Sequence, residues 1–176
     1  MKKNKILILT LIVQLMFIGA AQAKCDLESF KFGSSYKSLM SKLKMDGDFM
    51  EPKIEGISER FFLAPGELVC KNEKIFESVP VNFVFLYDDL VEIHITRLSE
   101  EATLVDWAES IYGEKKDKPR SFFYQQPYAQ WLWVNSNATI AYSIESNENE
   151  VFESIIIQSF NHQKIFEKLA IEQEGE

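Results

Sequence analysis

The chain predicts an α+β fold: an antiparallel sheet with helices packed on one face. Three observations carry that prediction. Strand-like alternation of apolar and polar residues is strong over residues 81–97 and returns in several segments after residue 121. Helical apolar spacing is confined to short stretches at 36–43, 104–112 and 162–171. Each half therefore runs helix first and strands after, the order of a layered α+β domain. With 46% hydrophobic and 13% aromatic residues, the chain has material for a core and is not a disordered segment.

Residues 1–23 read as a cleaved export signal. Lys2, Lys3 and Lys5 precede an apolar run at 6–20 broken only by Thr10 and Gln14, and Ala21-Gln22-Ala23 forms a small-x-small cleavage site. The run is shorter than the roughly twenty apolar residues of a membrane anchor, so the expected mature chain starts at Lys24 and keeps no stable membrane anchor. Lipid attachment at Cys25 needs a small residue directly before it, where Lys24 stands. The expected location is the periplasm or beyond, with residues 24–171 as one α+β domain and 172–176 as a disordered tail.

Cys25 and Cys70 are the two cysteines of the chain. An even count in an exported protein predicts a bridge between them. Closing a loop of that length stabilises by roughly 4 kcal/mol on the chain-entropy estimate. A metal site is not expected, because His94 and His162 are the only histidines and neither has a ligand neighbour at suitable spacing.

The first helix follows Gly33-Ser34-Ser35, where a serine caps the free amides, and Tyr36, Leu39, Met40 and Leu43 share one face. A strand is expected over 57–63, stopped by Pro65-Gly66, with a short strand around Cys70 and a loop ending at Pro80. Residues 81–97 form a hairpin. Its register is expected from a three-residue loop that pairs Tyr87 with Val91, Phe85 with Ile93 and Phe83 with Ile95, leaving Glu92, His94 and Thr96 on the other face beside Val84 and Leu86. The second helix is expected to be capped by Ser99, to carry Glu100 and Glu101 in its first turn, and to end at Gly113. A basic loop with Lys115, Lys116, Lys118 and Arg120 follows. Strands are then expected at 122–124, 129–134, 138–144 and 151–160, and a closing helix at 162–171.

Composition excludes some partners. Loss of the three signal lysines takes the formal charge from −8 to −11, which opposes binding to nucleic acid or anionic membranes; an acidic surface of this kind serves solubility first, and its sharper reading is a basic protein partner. There is no phosphate-cradling glycine loop or dinucleotide fingerprint, so no cofactor is expected. Ser-x-x-Lys occurs at Ser34–Lys37 and Ser41–Lys44, but both lie in one short helix without companion motifs, and helix capping accounts for them. No Gly-x-Ser-x-Gly is present. A non-enzymatic protein is expected.

The binding candidates are aromatic. Trp131 and Trp133 point to one face of their strand, with Gln130, Leu132 and Val134 on the other. Two readings stay open: the tryptophans pack under a helix as core, or they form an exposed ledge with Tyr128 and Tyr142 that anchors a partner. Burial separates them.

In outline, Phe32-Gly33-Ser34-Ser35 leading into a short helix, the hairpin from Phe83 to Ile95, and Ile111-Tyr112-Gly113 before the strand from Trp131 to Val134 resemble the small exported α+β domains exemplified by the β-lactamase inhibitor protein. The opening helix is similar to that of small outer-membrane assembly lipoproteins, from which the chain departs by lacking a lipobox. The resemblance implies a protein-binding scaffold that uses the open sheet face. The function expected is binding to another envelope or secreted protein, as an inhibitor or immunity protein against an envelope-targeted enzyme. An envelope-assembly accessory factor and a small wall-active hydrolase are the alternatives.

Overall fold

Six strands form one antiparallel sheet in the order β1-β2-β3-β6-β5-β4. They are β1 (Glu59–Pro65), β2 (Pro80–Leu86), β3 (Asp89–Ser99), β4 (Tyr128–Val134), β5 (Ala138–Ser146) and β6 (Val151–Ser159). Each half of the chain is a three-stranded meander, and the halves join where β3 pairs with β6 from Glu92↔Gln158 to Ser99↔Val151. The computed structural model describes Cys25 and residues 27–45, 59–115, 128–146 and 150–174. The expected signal at 1–23, the expected strand at 122–124, and Lys116, Lys118 and Arg120 lie outside the described residues.

The α+β expectation holds, with the core on the first face of the sheet. Phe83, Phe85, Ile93 and Ile95 meet Ile140, Tyr142, Ile155 and Ile157 there, all fully buried. Helix α1 (Tyr36–Leu43) contributes Leu39 and Met40. The single turn α2 (Gly66–Val69) and helix α3 (Leu104–Tyr112) cover the rest, the latter with Leu104, Val105, Trp107 and Ala108. Phe30 meets Phe83 and Phe76 meets Trp107 edge to face, with ring centroids 5.2 and 5.1 Å apart.

Helix α1 starts as expected. The Ser35 hydroxyl oxygen accepts from the Ser38 amide at 3.3 Å, and Lys44 closes the helix in the left-handed conformation. Around Cys70 the structure differs from expectation: the segment is the α2 turn, with Cys70 as its C-cap. Gly66 makes that turn possible, because a Cβ there would overlap the carbonyl oxygens of Phe76 and Val79. Cys25 and Cys70 are joined, with their Cα atoms 5.3 Å apart. A disulfide of this kind belongs to an oxidising, non-cytoplasmic compartment.

The hairpin register is also corrected. A two-residue loop, Tyr87-Asp88, turns the chain with both residues at positive φ, 51° and 72°, which is type I′ geometry. Leu86 pairs with Asp89 and Phe85 with Leu90, and the register then shifts so that Val84 pairs with Glu92 and Phe83 with Ile93. Val91 is the inserted residue of a β-bulge. The bulge rescues the alternation: Leu90, Ile93 and Ile95 all reach the core, while Val91, Glu92 and His94 go to the second face.

Helix α3 begins five residues later than the expected cap at Ser99, which instead ends β3. Thr103 makes no side-chain capping bond. The free amides of Thr103, Leu104 and Val105 donate to the Glu153 carboxylate at 2.9, 3.0 and 3.3 Å. That carboxylate, fully buried on β6, also accepts from the Tyr142 hydroxyl at 2.9 Å.

Packing on one face holds for α1, α2 and α3 but not for the closing helix. Helix α4 (Phe160–Glu174) crosses to the second face, where Ile165 packs on a separate small core of Val84, Leu86 and Val91, with Phe61 beside it. It also runs three residues past the expected end at Ile171. Among the described residues, no helix is long and apolar enough to cross a membrane.

Candidate functional site

The aromatic ledge does not exist as an exposed surface. Trp133 is 7% exposed and Tyr142 is fully buried. Trp131 is half-buried against the same core, its ring centroid 5.6 Å from that of Tyr142. Tyr128 begins β4, and its side chain is outside the described residues. Strand alternation explains the outcome: Trp131 pairs with Tyr142 and Trp133 with Ile140, so all four residues share the face that the helices cover. Trp133 is held further by its indole N–H, which donates to the Gly113 carbonyl at 2.9 Å, and by Lys115 above its ring. Burial, and then the charge of Glu153, pushes the Tyr142 phenol far above 10.0. It remains a neutral hydrogen-bond donor.

The residues that point away from the tryptophans are the exposed ones. Leu132 is 50% and Val134 64% exposed, on the second face. Register carries the same face inward: Leu132 pairs with Ala141, Ala141 with Ile156 and Ile156 with His94. One row beyond, Gln130, Ser143, Ser154 and Thr96 align across the same four strands. A further row holds Phe152 opposite Leu98, with Glu145 beside Phe152. The centre of this surface is aliphatic, hydroxyl and amide, with acids confined to its ends at Glu92 and Glu145. Four rows on four strands span roughly 300 Å² in projection, in which the aliphatic row is separated from Phe152 and Leu98 by the row of hydroxyls and an amide.

Helix α4 borders this open half, and a polar cluster marks the border. The Glu92 carboxylate on β3 lies 2.6 Å from His94 Nε2 and 3.2 Å from His162 Nε2 on α4, and it accepts from Gln158 Nε2 on β6 at 2.8 Å. His162 is 7% exposed. The chain's two histidines, far apart in sequence, thus converge on one carboxylate. Burial opposes the Glu92 charge, but the hydrogen bond to His94, the charges of both histidines and the hydrogen bond from Gln158 outweigh it and hold the carboxyl below 4.5. Burial pushes His162 below 6.5; Glu92 works against that shift and a charge on His94 adds to it. Sequence spacing does not reveal this cluster, because β6 brings α4 back over β3 only in the fold. The one sequence signal is that Glu92 and His94 share the face predicted to be mixed and partly wet.

Three polar side chains of the Ser-x-x-Lys segments, Ser34, Ser35 and Lys42, have local roles. Ser35 caps α1, and the Ser34 hydroxyl donates to the Lys31 carbonyl. Nearby, Lys42 donates to the Ser29 carbonyl at 2.7 Å and sits over the Phe30 ring. It helps line a cavity of about 390 Å³ beside the disulfide, with Ser29, Lys71 and Glu73. A groove of about 480 Å³ runs between Tyr112, Lys115 and Trp133 on one side and Glu28 and Asn135 on the other. Among the described residues, no group of three or more histidine, cysteine or acidic side chains is placed to hold a metal ion. The chain matches no protein-family model, no curated protein and no solved structure.

Proposed function

We propose that the chain is an exported, non-enzymatic protein-binding module whose contact surface is the open half of the sheet's second face. The observation that carries this reading is the row of Leu132, Ala141 and Ile156, with Val134 on one side and, beyond the row of Gln130, Ser143, Ser154 and Thr96, Phe152 and Leu98 on the other; the acids Glu92 and Glu145 lie at the ends of this surface. Charge depletion at the centre with polar groups at the rim is the anatomy of a protein interface. A surface of short aliphatic and hydroxyl side chains on a rigid sheet loses little side-chain entropy when covered. The occupant is a second exported protein with an apolar face and a basic rim, since the mature chain carries a formal charge of −11. Its most concrete form is an envelope-targeted enzyme that this chain inhibits or to which it confers immunity.

The test is capture from envelope extract by the oxidised mature protein, wild type against Leu132→Asp plus Ile156→Asp. Leu132 is 50% and Ile156 36% exposed, so the variant is expected to fold with a loss of about 1–2 kcal/mol, checked by urea unfolding before capture. A partner retained by wild type and lost by the folded variant supports the reading. Equal retention by both sinks this surface.

A further inference from the structure

We infer that the chain binds a neutral saccharide in the cavity at the end of the sheet where the segment before α1, the β4–β5 turn and the start of α4 meet. Three stretches far apart in sequence line it: Lys31 and Phe32, Ser136 and Asn137, and Phe160 and Asn161. Its volume of about 300 Å³ lies at the small end of ligand pockets and suits a ligand of one or two rings. The walls are pinned before any ligand arrives. Asn135 fixes the turn: its Oδ1 accepts from the Asn137 and Ala138 amides at 2.8 Å each, and its Nδ2 donates to Glu28 Oε1 at 2.7 Å. The Phe160 amide donates to the Asn137 carbonyl at 3.2 Å, and the Asn161 amide to Ser159 Oγ at 3.2 Å. On the third wall, the Ser34 amide and hydroxyl both donate to the Lys31 carbonyl. A backbone held in this way has little freedom left to lose on binding.

The side chains on these walls, by contrast, are uncommitted. Among the described residues, the Lys31 amine, the Ser136 hydroxyl and the side-chain amides of Asn137 and Asn161 have no hydrogen-bond partner, and neither Phe32 nor Phe160 pairs with another aromatic ring. Phe160 is 41% exposed although Ser159 before it is buried. An amide offers two donors and two acceptor lone pairs, and a hydroxyl one donor and two acceptors. That mixed set matches the hydroxyls of a sugar ring, each of which both donates and accepts. The aromatic rings supply apolar faces for the C–H side of the same ring. Charge selects for a neutral ligand: the Lys31 amine and the Glu28 carboxylate line one cavity and cancel formally. A wholly apolar ligand is disfavoured, because it would strip water from the amides and the hydroxyl and return no hydrogen bonds. Glu28 also borders the groove that holds Tyr112 and Trp133, so a longer glycan would meet a second aromatic and amide surface past the Glu28–Asn135 hydrogen bond. None of the residues lining the cavity belongs to the row of Leu132, Ala141 and Ile156, and the inference is independent of that surface.

The experiment is a titration of the oxidised mature chain, followed by amide NMR, with chitotriose and cellotriose as neutral probes, trigalacturonic acid as an acidic one and trialanine as a peptide. The expected result is saturable shifts of the Asn137 and Asn161 signals, side-chain amides included, with at least one neutral probe. That binding is expected to weaken by at least about tenfold in Phe160→Ala or in Asn137→Ala. Both positions are exposed, and each variant is first checked for folding by urea unfolding. No saturable shift with either neutral probe up to about 20 mM overturns the inference. So does binding that is unchanged in both folded variants, or binding of the acidic probe or trialanine with none of the neutral probes.

Discussion

At the scale of single residues, Glu153 shows how much of the fold rests on a side chain that sequence patterning treats as ordinary. Its position in the alternation of β6 is an inward one, where an acid contradicts the binary pattern, and that contradiction was the only clue available. The carboxylate does what Ser99 was expected to do, capping α3 from across the sheet and taking the Tyr142 hydroxyl as well. Glu153→Ala would leave three amides and a phenol buried without their acceptor. At about 1–3 kcal/mol for each unsatisfied group, partly relieved by entering water, the expected loss is at least about 3 kcal/mol, read from urea unfolding. A loss below about 1 kcal/mol would show that α3 is capped by other means. Trp131 and Trp133 teach a related lesson. Their shared orientation was legible from strand alternation, but which face the helices cover was not, since both faces of β4 carry large apolar groups.

At the scale of elements, most strands were legible because each is bounded by turn residues and alternates cleanly. The exceptions have local physical causes. The segment before Cys70 became a helical turn because Gly66 packs against the backbone at Phe76 and Val79, a constraint imposed by residues beyond the segment itself. The hairpin register departs from the simple pattern because alternation continues through Asp88-Asp89 as though the loop held three residues, whereas the inserted Val91 resets the phase. The two-residue loop makes a sharp prediction. A type I′ turn favours asparagine at its first central position, and tyrosine at φ 51° is strained there. Tyr87 is 46% exposed, so Tyr87→Asn is expected to stabilise the protein by about 0.5–1 kcal/mol, seen as a higher thermal midpoint. A lower midpoint would mean that the tyrosine ring contributes more by packing than the turn loses by strain.

At the scale of the whole molecule, the two faces of the sheet divide the work. The first face, sealed by α1, α2 and α3 and tied by the Cys25–Cys70 bridge, holds the main core and leaves its aromatic residues little surface to offer. The second face is only half covered by α4, and its open half carries the exposed aliphatic row. The antiparallel sheet and its helix-then-strand order could be read from the sequence. The crossing of α4 to the far face could not, because its apolar positions show which side of the helix is buried and not which side of the sheet buries it. That crossing makes one half of a face available, and it also brings His162 to Glu92.

The account stands or falls on which face meets another protein. The most direct measurement places a photo-crosslinking residue, one position at a time, at Leu132 and Val134 on the second face, and at Lys37 and Lys71 on the side of the covering helices. Each variant is then irradiated in the cells that produce the protein. Crosslinks to one protein from positions 132 and 134, with none from 37 or 71, are the predicted result. Crosslinks from 37 or 71 with none from 132 and 134 would contradict it and move the working surface to the helical side.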